Sequence, residues 1–237
     1  MAVAHDATRL SSPKEMEPVL AADHEIVIGP EHKSMPAEFW GRTVEKVLAD
    51  APTLGSLGTP VLAIDQTILV RNLRAMQRWT AARNLDLAPH GKTTMSPTLW
   101  AQLFQYGASA LTLATPWQVQ VGRAAGIDSI MLANTLVSPT GIAWISGELD
   151  ANPEFRFTSW VDSLGAVDIA ETALAGRGAV RPVDVIVELG GHGGRTGARS
   201  TAAALQIAQA VNDAPHLRLV GAGGYEGALA HDRSEPG

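Results

Sequence analysis

From Gly58 onward, short apolar stretches alternate with longer ones whose apolar residues recur at helical spacing. The short stretches read as strands: 60–65 (PVLAID), 85–90 (LDLAPH), 110–114, 129–133, 156–161, 184–189 and 217–222. Several are apolar almost throughout, the pattern of strands buried on both faces of a parallel sheet. Between them, Leu99, Leu103 and Tyr106 share a helical face. So do Leu69, Leu73 and Met76, with Arg71, Arg74 and Arg78 offset toward solvent. Ser96-Pro97, Thr115-Pro116 and Ser138-Pro139 each set a capping hydroxyl before a proline at the first helical position. Ser200 heads a helix over 201–212, with Leu205, Ala208 and Val211 on one face. Gly107, Gly126 and Gly176 stand where helices should stop.

Strand, loop, capped helix, strand, repeated, is a βα chain around a parallel sheet. A doubly wound open sheet and a (β/α)8 barrel both fit. Counting from 85–90, the pattern supplies six barrel-type strands, and 60–65 precedes the first long helix and stands apart. Residues 1–56 read differently, with Pro13, Pro18, Pro30, Pro36 and Pro52, scattered charge and one short helix over 39–49. The expected organisation is an N-terminal arm over 1–56 and a partial barrel over 57–237.

Composition narrows the chemistry. At 237 residues the chain has room for one domain, or one and a part. It holds no cysteine, which removes disulfide scaffolds, Cys-ligated metal sites and thiol catalysis. A net charge of −6 gives no reason to expect nucleic acid, which calls for clustered Lys and Arg. No apolar run approaches the ~18–20 residues of a membrane span. The first residues lack the charged head and apolar core of a secretory signal. The expectation is a cytoplasmic globular protein.

In both architectures reactive groups collect at the carboxyl ends of the strands. After 85–90, which ends in Pro89-His90, comes Gly91-Lys92-Thr93-Thr94. A lysine there, beside a histidine and two hydroxyls, is a candidate amine nucleophile for Schiff-base chemistry. From position alone, a solvated lysine beside a capping threonine fits as well. The other lysines are Lys14, Lys33 and Lys46, all ahead of the βα region. After 184–189 comes Gly190-Gly191-His192-Gly193-Gly194-Arg195-Thr196-Gly197. It matches neither the dinucleotide GxGxxG spacing nor a nucleotide P-loop. Its glycines permit close backbone approach, so Arg195 can be presented to a phenolate, carboxylate or phosphate oxygen. A flexible turn with a surface arginine is the competing reading. After 217–222, Gly223-Gly224-Tyr225-Glu226-Gly227 places one of the 2 tyrosines at a strand end, to stack on a ring ligand or simply to sit at the rim. His90, His192, His216 and His231 make no metal site by spacing, and no GxSxG elbow is present.

These segments carry a family resemblance. LGTPVLAIDQTILVRNLRAMQ and LAPHGKTTMSPTLWAQLFQYGASALTLATPWQVQVGRAAGIDSIMLAN resemble the amino-terminal barrel of the alanine-racemase-like, fold-type III pyridoxal-phosphate enzymes. Within these the chain is most similar to the D-serine dehydratase/D-threonine aldolase branch, which includes bacterial amino acid deaminases. Pro89-His90-Gly91-Lys92-Thr93 stands at that branch's PHxKT segment, VELGGHGGRTGAR resembles its strand-five segment, and GGYEG its strand-six segment. The likeness runs from about Leu57 to Leu229.

The resemblance implies that Lys92 binds pyridoxal 5'-phosphate as a Schiff base, with His90 beside it. It sets Arg195 near the cofactor's phenolic oxygen and Tyr225 near the pyridine ring. Where many members of the branch have an arginine before the Pro-His pair, this chain has Ala88. The implied reaction is deamination of a D-amino acid, D-serine type, giving a 2-oxo acid and ammonia, with Lys92 as base for the α-proton. The alternatives are a D-threonine aldolase-type lyase and a non-enzymatic pyridoxal-phosphate homeostasis protein.

A complete barrel needs eight strands, and its phosphate grip commonly lies after strands seven and eight. The family's second, β-rich domain, which carries a divalent metal such as zinc in this branch, has no counterpart in the sequence. The chain is therefore expected to be a truncated form, weak in cofactor binding and catalysis by itself. The full-length family is expected to be homodimeric.

Overall fold

A computed structural model describes residues 24–228. Residues 1–23, which include Pro13 and Pro18, and 229–237, which include His231, lie outside the described residues. The chain divides into two compact units. One holds the chain up to Pro89 together with Ser96–Ser109, and the other holds His90–Met95 and the chain from Ala110 onward.

In the first unit, Ile28, Phe39 and Val47 form a small core, with Met35, Val44 and Leu57 packed on it. The helix expected over 39–49 is broken in two: a 3-10 turn at Ala37–Phe39 and helix α1, Val44–Ala49. The break is at Gly41, whose φ of 78° is outside the helical region. The Thr43 hydroxyl then caps α1 by accepting from Lys46 N. Helix α2, Gln66–Ala81, starts at Asp65, whose side chain accepts from Ile68 N. Helix α3, Pro97–Gln105, starts at Ser96 and stops at Gly107, where φ is 89°. The two helices meet where Arg74 lies over the Tyr106 ring at 5.8 Å and Gln66 hydrogen-bonds Gln102 at 3.1 Å.

Two expected strands do not form. Residues 60–65 pair with nothing among the described residues, and Leu62 is 90% exposed. Residues 85–90 reduce to one parallel bridge, His90 to Thr112. Leu87 O and Gly91 N do take backbone partners, Ser109 N and Thr112 O, each at 2.8 Å. Pro89 between them has no N–H to give, which interrupts the ladder. The six expected barrel strands are therefore five.

Those five lie in the second unit: β1 Leu111–Leu113, β2 Ser129–Thr135, β3 Arg156–Val161, β4 Val183–Leu189 and β5 Leu217–Gly224. They form one sheet in the order β1-β2-β3-β4-β5, every pair parallel. Helices α4 Pro116–Ala124, α5 Pro139–Ala151, α6 Leu164–Arg177 and α7 Thr201–Asp213 make the crossovers. A hydroxyl starts each of them: Thr115, Ser138, Ser163 and Ser200 accept from the amide three residues on. α6 runs through Gly176 and stops instead at Gly178, the position with a left-handed φ of 71°.

Sequential strand order decides between the two architectures. Parallel crossovers are right-handed, so strands added always on the same side set every helix on the same face of the sheet. A doubly wound sheet would have to reverse its strand order. The arrangement is that of a partial β/α barrel. Burial on both faces, as expected, holds for β1, whose three residues are all buried; along β2 and the start of β4 it alternates, with Ile130, Leu132, Val183 and Val185 buried and Met131, Asp184 and Ile186 half-exposed. Close helix approach is needed at Gly122, where a Cβ would lie 3.0 Å from Ile130 Cδ1 and 3.2 Å from Leu113 Cδ1.

Leu132 is fully buried in this layer. Leu132→Ala is expected to cost about 2–5 kcal/mol in urea unfolding. Leu62→Ala, at an exposed site, should stay within about 0.5 kcal/mol of the parent. Equal costs at the two positions would contradict the assignment of the core.

Candidate functional site

The face of the sheet away from the helices mixes polar side chains with Met131, Trp160 and Ile186. Register sets His90, Thr112, Met131, Thr158, Asp184 and Arg218 side by side across all five strands. Asp184 and Arg218 neutralise each other in that row through two hydrogen bonds of 2.6 and 2.8 Å. His90 ends the row on the other side, and Lys92 lies two residues beyond it, past the carboxyl end of the bridge.

A run of amide contacts ties the Lys92 turn to the neighbouring strand ends. Lys92 O accepts from Gln118 Nε2 at 3.4 Å, and Gln118 Oε1 accepts from Ala114 N at 2.9 Å. Ala114 O accepts from Asn134 Nδ2 at 3.1 Å, and Asn134 O from Ser159 Oγ at 3.0 Å. Gln118 is in the first turn of α4, so the helix cap at Thr115 also places this contact.

The glycine-rich segment after β4 is an ordered turn, not a flexible one. It folds back until Ala198 N donates to Glu188 O at 2.8 Å and Gly190 N to Ala198 O at 3.0 Å. That closure requires glycine at two positions. A Cβ on Gly190 would lie 2.1 Å from Thr196 O, and one on Gly197, where φ is 92°, would lie 2.5 Å from Gly190 N. Arg199 holds the turn from outside, donating to the carbonyls of Gly191, Thr196 and Gly194 at 2.8, 3.0 and 2.9 Å. Thr196 donates its hydroxyl to the carboxylate of Glu188, which is buried at 3% exposure. Arg195 is thereby carried out over the Tyr225 ring, with its guanidinium carbon 4.7 Å from the centroid.

The structure brings the four singled-out residues to the strand ends of the second unit. His90 is held below its ordinary pKa, first by desolvation, then by the charges of Lys92 and Arg195. It feels both cations although it remains exposed. Neither cation has an ion-pair partner among the described residues. His216 belongs elsewhere: it opens β5 and pairs with Glu171 at 2.7 Å. His192 is exposed on the glycine turn, and no metal-holding group of three or more His, Asp or Glu side chains occurs among the described residues. Sequence reading missed Glu188, Thr196, Gln118 and Arg199. Glu188 carried a signal, as an acidic residue inside an apolar strand. Trp160 Nε1 was missed too: it is buried without a hydrogen-bond partner among the described residues, on the same face as Ile186.

This donor set suits an anionic aromatic aldehyde such as pyridoxal phosphate. It has an amine for the carbonyl, a guanidinium for an acidic oxygen and a phenol ring for stacking.

No family model matches the chain. A curated D-threonine aldolase from Arthrobacter sp. is 29% identical over 181 residues, covering 76% of this chain and 46% of that protein. The solved D-threo-3-hydroxyaspartate dehydratase from Delftia sp. HT23 is 26% identical with a TM-score of 0.63, over 72% of this chain and 44% of the other. Alanine racemase from Streptomyces lavendulae shares the fold with a TM-score of 0.52 and 24% identity, over 66% of this chain and 40% of the other. The chain spans about half the length of the curated relatives it matches. The fold is a partial β/α barrel like those of the solved D-threonine aldolase and alanine racemase. Over that shared part the chain is similar to proteins named D-threonine aldolase, 3-hydroxy-D-aspartate aldolase and D-threo-3-hydroxyaspartate dehydratase.

The neutral state of His90 is testable. A histidine with a depressed pKa binds fewer protons folded than unfolded. Its stabilising contribution is complete above about 6.5 and is lost as pH falls through the folded value. Arg195→Ala should raise the His90 pKa part of the way back, since desolvation, the larger cause, stays in place. Ring NMR titration reads this, and an unchanged titration would mean that Arg195 does not act on His90.

Proposed function

We propose that this chain contributes the lysine-bearing half of a pyridoxal-phosphate lyase acting on a β-hydroxy-D-amino acid. The observation that carries the reading is Arg195 held over the Tyr225 ring, while His90, two residues from Lys92, feels the charges of both Lys92 and Arg195. It is supported by relatives named for D-threonine, 3-hydroxy-D-aspartate and D-threo-3-hydroxyaspartate. Those names favour a β-hydroxy substrate in general over D-serine in particular. The reading includes a cytoplasmic protein whose small-molecule partner is the D-amino acid, with no nucleic acid or membrane. Among the described residues no helix is long and apolar enough to cross a membrane. A divalent metal belongs to the reading only for the longer family proteins.

Each residue has a role in keeping with its chemistry. Lys92 Nζ is the amine that holds the cofactor's aldehyde carbon and, once released by substrate, takes the proton from Cα. Arg195 would hold the phenolic oxygen, and Tyr225 would lie against the ring. His90, kept neutral, adds no third positive charge beside the amine. When bound, the cofactor supplies the electron sink that weakens the bonds at Cα. A Cα–H bond broken with loss of the β-hydroxyl gives dehydration, and a broken Cα–Cβ bond gives the aldolase outcome.

The test is chemical trapping. The chain is incubated with pyridoxal 5'-phosphate, reduced with borohydride and mapped by peptide mass spectrometry. The adduct is expected on Lys92 and absent in Lys92→Ala. An adduct spread over Lys33 and Lys46, or one that survives Lys92→Ala, would end the reading. D-threonine, 3-hydroxy-D-aspartate and D-serine are then compared as substrates, and turnover of D-serine alone would overturn the broader β-hydroxy assignment.

A further inference from the structure

We infer that Glu188 is a positioning residue that sets Arg195 in place through Thr196. The inference rests on the reading of Arg195 given above. Glu188 ends the polar row of β4 and is buried to 3% exposure, the one acidic side chain so deeply enclosed among the described residues. Burying a carboxylate is costly unless it is hydrogen-bonded. The side-chain partner the structure gives it is the Thr196 hydroxyl, immediately after Arg195. Its own carbonyl accepts from Ala198 N at 2.8 Å, so the same residue holds the returning chain at two points.

The surroundings make this contact decisive for Arg195. Gly190, Gly191, Gly193, Gly194 and Gly197 flank it, so the backbone of the turn has little preference of its own. Arg199 restrains the turn only through exposed carbonyl contacts. Across the sheet, Glu188 registers with Gly223, two residues before Tyr225. Glu188 thus lies on the strand that launches Arg195, in register with the strand that carries its ring partner. With the Thr196 contact broken, the guanidinium loses its alignment over Tyr225, while the strands beneath keep their ladder.

The test compares pyridoxal 5'-phosphate with its 3-deoxy analogue, which lacks the phenolic oxygen, in borohydride-trapped adduct formation at Lys92. The parent should favour the natural aldehyde by roughly tenfold or more, the worth of one hydrogen bond to a charged group. Glu188→Ala and Thr196→Val should bring that preference down to the level of Arg195→Ala, the intrinsic preference of any amine, and Thr196→Ser, which keeps the hydroxyl, should retain the parent value. A merely structural role would weaken both aldehydes alike and leave their ratio unchanged. That result, or full preference in Glu188→Ala, overturns the inference. A second readout is amide hydrogen exchange of Arg195, Thr196 and Gly197 in the ligand-free protein. Faster exchange there in Glu188→Ala and Thr196→Val, with the β4 amides unchanged, supports positioning; unchanged exchange refutes it. If the parent itself shows no preference beyond that of Arg195→Ala, the assigned role of Arg195 fails, and the exchange measurement alone decides whether Glu188 sets the turn.

Discussion

A sheet whose strands are added in sequential order, with one hand of crossover, cannot have two like faces. All its helices fall on one side. The apolar side chains of Leu111, Ile130, Phe157 and Val185 must then bury against them, and the intervening residues must take the other face. That constraint produces the polar row from His90 to Arg218. It also stacks the carboxyl ends of the strands side by side. Arg195 and Tyr225, which follow the adjacent strands β4 and β5, meet for that reason, and Lys92 follows the bridge beside β1 at the same end of the sheet.

Given that placement, the two cationic residues are held differently. Lys92 sits on a turn tied by neutral amides, from Gln118 through Ala114 and Asn134 to Ser159. These contacts orient the backbone and leave the amine without an ion-pair partner among the described residues. Arg195 depends on a turn in which glycine is compulsory at 190 and 197 and a buried carboxylate holds the adjacent threonine. The result is a local concentration of positive charge in a chain whose net charge is −6. A neutral His90 adds no third positive charge to those cations, and an anionic ligand would offset them.

The elements most legible in the sequence were those with local physical causes. Hydroxyl-proline pairs mark the starts of α3, α4 and α5 because an exposed amide needs an acceptor whatever the tertiary structure. Strand β3 matches its expected bounds, and β1, β2, β4 and β5 differ from theirs by at most two residues at either end. The failures share a cause as well. Apolar runs such as 60–65 and 85–90 satisfy the strand pattern, but a strand exists only where a neighbour accepts its ladder. Pro89 breaks the second, and the first has no neighbour among the described residues. Gly176 and Gly178 are alike in the sequence, and only the packed length of α6 selects the second as its end.

By itself the sequence determined the βα alternation, the helix starts and the candidate residues Lys92, Arg195 and Tyr225, because periodicity, capping and motif order are properties of neighbouring positions along the chain. Only the tertiary structure decided which strand residues turn toward the helices, that Arg195 lies over the Tyr225 ring, and that Glu188 is buried with Thr196 on its carboxylate. Those outcomes depend on strand register and crossover hand, which bring separate strands together and are written in no local pattern.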